Sequence, residues 1–150
     1  MTTSNAHGDA RTDILDEHDC RRLIASGGVG RIAYKSRYGY AVIPVNYVLD
    51  AGNVIFRTTA GSALDEDLRT GIADADYLVA FEIDHIDEDR HEGWSVLIQG
   101  VAHALESESE RAATAHLDVR PWPGGGKDLH FRITPTRMTG RAIRRPDRAG

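Results

Sequence analysis

The chain has 150 residues, which suits one domain, and at 41% apolar residues it can build a core. A formal net charge of −5 gives a nucleic-acid role no overall electrostatic support, and no apolar run approaches the length of a membrane span. The single cysteine, Cys20, excludes an internal disulfide and fits a reducing, cytoplasmic setting.

Residues 1–13 read as a flexible tail: the stretch is polar, contains Asp9 and lacks the apolar centre of a secretory signal. The first ordered element is predicted to be a helix capped by Asp16, with Asp19 in its first turn. Cys20, Leu23 and Ile24 fall on one face, and Gly27 and Gly28 end it. On that stripe Cys20 is a buried, inert thiol. Strands are predicted at 29–35 and 40–49, joined by a turn at 36–39. Pro44 inside the second marks an edge, a bulge or a ligand-facing bend. A tight turn at 50–53 makes the third strand, 54–59, antiparallel to the second.

A short helix over 61–70 follows, with Ser62 as cap, Leu64 and Leu68 buried, and Gly71 closing it. Tyr77, Val79, Phe81 and Ile83 alternate with more polar neighbours, a strand pattern. Residues 85–92 read as a charged loop. The strand over 94–105 is apolar on both faces, which calls for a closed barrel or a second subunit. A helix over 106–117, a proline- and glycine-rich loop over 120–126 and a last strand from Leu129 towards Ile143 complete the chain. Residues 145–150 read as a second flexible tail. Hairpin connections dominate and no βαβ alternation appears, which favours an antiparallel barrel over a doubly wound sheet.

The densest chemistry lies at Arg57, Thr58, Thr59, Gly61, Ser62, Ala63 and Leu64. A strand delivers a guanidinium and two hydroxyls, and a glycine turns the chain into a helix start whose free N–H groups favour an anion. This composition suits a phosphate pocket. The same residues also read as an ordinary strand and a simple helix cap. Asp65, Glu66 and Asp67 suit the helix dipole but would repel a nearby phosphate. The seven histidines show no metal-ligand spacing, and GxSxG, Walker and GxGxxG signatures are absent. Trp94 and Trp122 serve equally well as core or as walls for a planar ring. Arg137, Arg141, Arg144, Arg145 and Arg148 form a basic C-terminal cluster, most simply a solvated one.

Several segments together resemble the pyridoxamine 5′-phosphate oxidase-like flavin-binding split-barrel family, in its small actinobacterial-type branch. They are Gly30-Arg31-Ile32-Ala33, Ile43-Pro44-Val45-Asn46-Tyr47-Val48, Val54-Ile55-Phe56-Arg57-Thr58, Val79 to Asp84, Gly93 to Gly100, Arg120-Pro121-Trp122 and the closing Ile133-Thr134-Pro135 with Thr139-Gly140-Arg141. The order and spacing of these segments cover residues 14–144.

The resemblance implies a mainly β chain with short helices, folded as a six-stranded antiparallel split β-barrel (Greek key) that dimerises around two cofactor sites. It places the phosphate and ribityl chain of flavin mononucleotide (FMN) against Arg57, Thr58, Thr59, Gly61, Ser62, Ala63 and Leu64. It places the ring against Ile43, Pro44, Val45 and Asn46, with Trp94, Ser95, Val96 and Trp122 completing the pocket. Relatives commonly carry a lysine at the position of Ala63. Its loss removes a charge-assisted contact worth roughly 1.5–3 kcal/mol.

Two functions follow as expectations. One is a flavin- or deazaflavin-dependent oxidoreductase acting on a small organic molecule, with the cofactor carrying the redox chemistry. The other is a non-catalytic carrier or sensor of flavin, deazaflavin or haem; haem would require His103 or His130 as axial ligand. A homodimer, no metal, no nucleic acid and no membrane partner complete the reading.

Overall fold

A computed structural model describes residues 11–69, 77–117, 119 and 128–145. The strands are β1 (Arg11–Leu15), β2 (Gly28–Ser36), β3 (Gly39–Asp50), β4 (Asn53–Thr59), β5 (Tyr77–Asp87), β6 (Glu92–Ala104) and β7 (Asp128–Arg144). Three short helices punctuate them: α1 (Glu17–Ile24), α2 (Ala63–Leu68) and α3 (Glu108–Thr114). The strand order is β1-β7-β4-β3-β2-β5-β6, and β6 pairs back onto β7. That last pairing closes β2 to β7 into a six-stranded antiparallel barrel, with β1 added beside β7. The barrel expected from the sequence is the one observed.

Closure depends on the long β7, which pairs with β4 through residues 128–133, with β6 through 131–143 and with β1 through 140–144. The register on β6 skips one residue of β7 between Gln99 and Gly100. Pro135 sits opposite Gly100 at this bulge, where a missing N–H is tolerated. The Thr136 hydroxyl donates to the Gln99 carbonyl at 3.0 Å and secures the extra residue.

Inward-facing residues fill the barrel. Phe56 stacks on Phe131 with ring centroids 5.3 Å apart, and Phe81 packs against both Phe56 and Tyr47. Gly30 is required here, because a Cβ would lie 2.2 Å from the Phe81 ring. Helix α1 closes one end of the barrel. Asp16 caps it through the Asp19 N–H, Cys20 and Ile24 are fully buried, and the Tyr47 hydroxyl donates to the Ile24 carbonyl at 2.9 Å. Cys20 is thus the buried thiol expected, and burial raises its pKa.

Some element boundaries differ from the sequence reading. Residues 11–13, expected in the tail, belong to β1, which is held by its backbone ladder while Ile14 remains 84% exposed. With so little burial there is no apolar periodicity to read. The charged loop shrinks to residues 88–91, because β5 and β6 remain paired as far as Asp87 and Glu92. Helix α2 is shorter at both ends than the expected 61–70. Helix α3 starts at Glu108 on a capping box between Ser107 and Glu110.

Candidate functional site

The β3–β4 ladder runs from Asp50–Asn53 to Tyr47–Phe56 and stops. Both strands continue beyond that pair, β3 through residues 43–46 and β4 through 57–59. There β3 pairs only with β2 and β4 only with β7 among the described residues. The barrel is split along this line, and its two lips are the stretches singled out in the sequence. Pro44 lies in the half-paired part of β3, so the edge expected of it is observed.

Strand alternation decides which side chains reach the lips. On β3, Val45 is buried in the core and Ile43 packs against it, while Pro44 is exposed on the outer face beside the half-buried Asn46. On β4, Phe56 points inward and Arg57 outward, paired across the sheet with His130 of β7. Ile43 and Val45 therefore keep their side chains on the inner side of the lip. The same rule divides Trp94, Ser95 and Val96: Val96 is fully buried, Trp94 packs against the core, and Ser95 faces the other way. This run lies opposite residues 140–142, at the far end of β7 from the partners of Arg57. Within one chain it does not join the split. Trp122 lies outside the described residues.

Arg57 is the electrostatic centre of the site. Its side chain is 20% exposed, Nη1 donates to the Val119 carbonyl at 3.1 Å, and Nη2 pairs with Asp128. Its Nε is buried with no hydrogen-bond partner among the described residues. Burial, and then the neighbouring guanidinium, lowers the pKa of His130 and favours the neutral ring. Arg57 thus keeps an unsatisfied donor on the split, and Asp128 shows that the position attracts an anionic oxygen.

At the start of α2, Ser62 accepts the Asp65 N–H at 3.2 Å, and its hydroxyl lies 3.1 Å from that of Thr58. Ala63 is exposed and Leu64 is buried in the core. The acidic run does not face outward as bare charge. Asp65 is 3% exposed, accepts the Gly61 N–H at 2.7 Å and pairs with Arg69. Asp67 and Glu66 lie 2.9 and 3.4 Å from the Arg37 guanidinium. The residues that neutralise the run, Arg37 and Arg69, were not anticipated from the sequence. Arg69 follows Asp65 at helical spacing and was legible; Arg37 lies on a distant turn and was not.

Comparison with known proteins places the architecture. The family model for pyridoxamine 5′-phosphate oxidase matches residues 16–142. The chain belongs to this family. An uncharacterized protein of Mycobacterium tuberculosis is 34% identical over 126 residues, covering 84% of this chain and 82% of that protein. A solved FAD-binding protein from Mycobacterium smegmatis is 31% identical with a TM-score of 0.71, covering 88% of this chain and 100% of that one. A conserved protein of unknown function from Corynebacterium diphtheriae is 29% identical with a TM-score of 0.69, over 89% of this chain and 98% of that one. The pyridoxamine oxidase-like chain therefore carries a flavin-binding type of fold. Among the described residues, no group of three or more His, Cys, Asp or Glu is placed to hold a metal, and no helix is long and apolar enough to cross a membrane.

Proposed function

We propose that this family member binds a flavin along the split between β3 and β4, holds its phosphate at Arg57, and works as a homodimeric oxidoreductase on a small organic molecule. One observation carries the reading: the ladder ends at Tyr47–Phe56, and the first β4 residue beyond it is an arginine whose Nε is buried and has no hydrogen-bond partner among the described residues. A flavin phosphate would supply the missing acceptor, in competition with Asp128. The lip of β3 beyond the end of the β3–β4 ladder gives a ring an outer surface at Pro44 and Asn46. Thr58, Ser62 and the turn at Gly61 lie beside the phosphate position. The FAD-binding relative at 31% identity favours a flavin.

When bound, the flavin supplies the redox chemistry. The protein binds it, orients it and excludes water. Dimerisation would bring the outward-facing Ser95 of a second copy towards the cofactor. Exposed Val42, Leu78 and Leu97 on the outer sheet face provide apolar surface for that contact. Haem finds less support: His103 Nε2 already lies 2.8 Å from Glu110, and His130 stands beside the Arg57 guanidinium.

The test is titration of the purified protein with FMN and with riboflavin, which lacks the phosphate. Wild-type protein should bind FMN more tightly. Arg57→Ala should weaken FMN binding by about one to two decades, as expected for a lost charge-assisted contact, and leave riboflavin binding unchanged. Equal affinity for the two ligands in the wild type would remove Arg57 from the phosphate site.

A further inference from the structure

Away from the split, the end of the barrel closed by α1 contains a cavity of about 320 Å³. That volume lies at the lower end of the range for small-molecule pockets, and barrel mouths commonly hold them. One cross-strand row lines it: His85 of β5, Trp94 of β6 and Ala142 of β7. Leu15 and Leu23 add apolar wall from β1 and α1. Trp94 is thus a wall of this cavity, at the opposite end of β7 from the residues that pair with Arg57.

The charges around the cavity are unevenly satisfied. Arg22 meets Asp19 at 3.8 Å, Arg144 meets Asp13 at 3.7 Å, and Asp87 meets Arg90 at 3.7 Å. Glu92, directly opposite Asp87 in the ladder, is half-buried and has no ion-pair partner among the described residues. It stands two residues from Trp94 on the same face of β6, so its carboxylate and the indole border one space. A tryptophan face beside a carboxylate is the arrangement that attracts an organic cation: the ring quadrupole and the negative charge act together on a weakly hydrated ammonium.

We propose that this barrel-mouth cavity is a second ligand site, distinct from the cofactor split, for a small organic cation with an apolar or aromatic body. Trp94, Leu15 and Leu23 would enclose the body, and Glu92 would supply the counter-charge. Arg22 meets Asp19 and Arg144 shares Asp13 with Arg11, whereas Glu92 meets no guanidinium within ion-pair distance among the described residues, so its charge is the one left for a ligand to balance.

The experiment is calorimetric titration of the full chain with benzyltrimethylammonium and, separately, phenylacetate, with and without saturating FMN. Saturable binding of the cation at one site per chain is expected, with phenylacetate at least about tenfold weaker and FMN without effect on the cation's affinity. Glu92→Gln should weaken the cation by about tenfold and leave phenylacetate unchanged. Absence of saturable cation binding, tighter binding of phenylacetate, or displacement of the cation by FMN would each overturn the proposal. The wild-type comparison of the two probes decides it even if the variant folds poorly.

Discussion

The carboxylate of Asp65 turns back to accept the Gly61 N–H at 2.7 Å, so α2 brings its own anion to its first turn. The same carboxylate is buried and pairs with Arg69, which in turn reaches Glu106 just before α3. This chain ties the helix bordering the split to the connection after β6. Asp65→Ala should lower stability by about 1–3 kcal/mol, because it removes the buried acceptor of the Gly61 N–H and unpairs Arg69. Asp65→Asn keeps an acceptor for Gly61 and should cost less. Urea unfolding of both variants checks the order; equal losses would mean that the charge, not the hydrogen bond to Gly61, sets the cost.

Ala63 is exposed at the first position of α2, where the family resemblance implies a lysine. The acids around it are already neutralised by Arg37 and Arg69, so an added ammonium would not be captured by a bare carboxylate. Ala63→Lys should therefore tighten FMN binding by about ten- to a hundredfold, the return of about 1.5–3 kcal/mol for a charge-assisted contact. Flavin fluorescence titration measures it, with riboflavin as the control that should not change. A gain shared by riboflavin would place the new lysine away from the phosphate.

Gly30 allows Phe81 to lie across β2, since a Cβ there would stand 2.2 Å from one ring carbon and 2.4 Å from another. Phe81 is fully buried and cannot swing into solvent. Gly30→Ala should cost about 1–3 kcal/mol through overpacking. Reducing the ring in the same chain (Gly30→Ala with Phe81→Leu) should recover part of that loss. Thermal unfolding of the single and double variants reads the coupling; independent, additive losses would show that the glycine is not there for the ring.

The barrel was legible because its interior follows period two: Tyr77, Val79, Phe81 and Ile83 on one strand, and Leu129, Phe131 and Ile133 on another. The position of the lips was legible too, through Pro44 and the Arg57 to Leu64 stretch. Facing was harder. Runs such as Trp94-Ser95-Val96 act as one block in a sequence match, but alternation sends Val96 into the core and Ser95 outward. Strand β1 was invisible because it is held by backbone pairing with almost no side-chain burial. The neutralisation of Glu66 and Asp67 by Arg37 depends on tertiary approach, which local spacing does not encode.

On the outer sheet face, Arg31 lies 3.5 Å from Glu82 and 3.2 Å from Asp84. One guanidinium serves two carboxylates, and burial followed by the Asp84 interaction pushes the Glu82 carboxyl up to about 7 from an ordinary 4.5. The sign follows from proton counting. Between those values the folded chain holds a proton that the unfolded chain releases, so stability falls as pH rises from about 4.5 to 7 and levels off above. Glu82 is partly exposed, so solvent screening reduces the effect. Glu82→Gln should flatten that slope and make the variant relatively more stable at pH 8 than at pH 5, compared with wild type. Chemical denaturation across pH 4.5–8 measures the slope directly. An unchanged slope in the variant would assign the proton to Asp84.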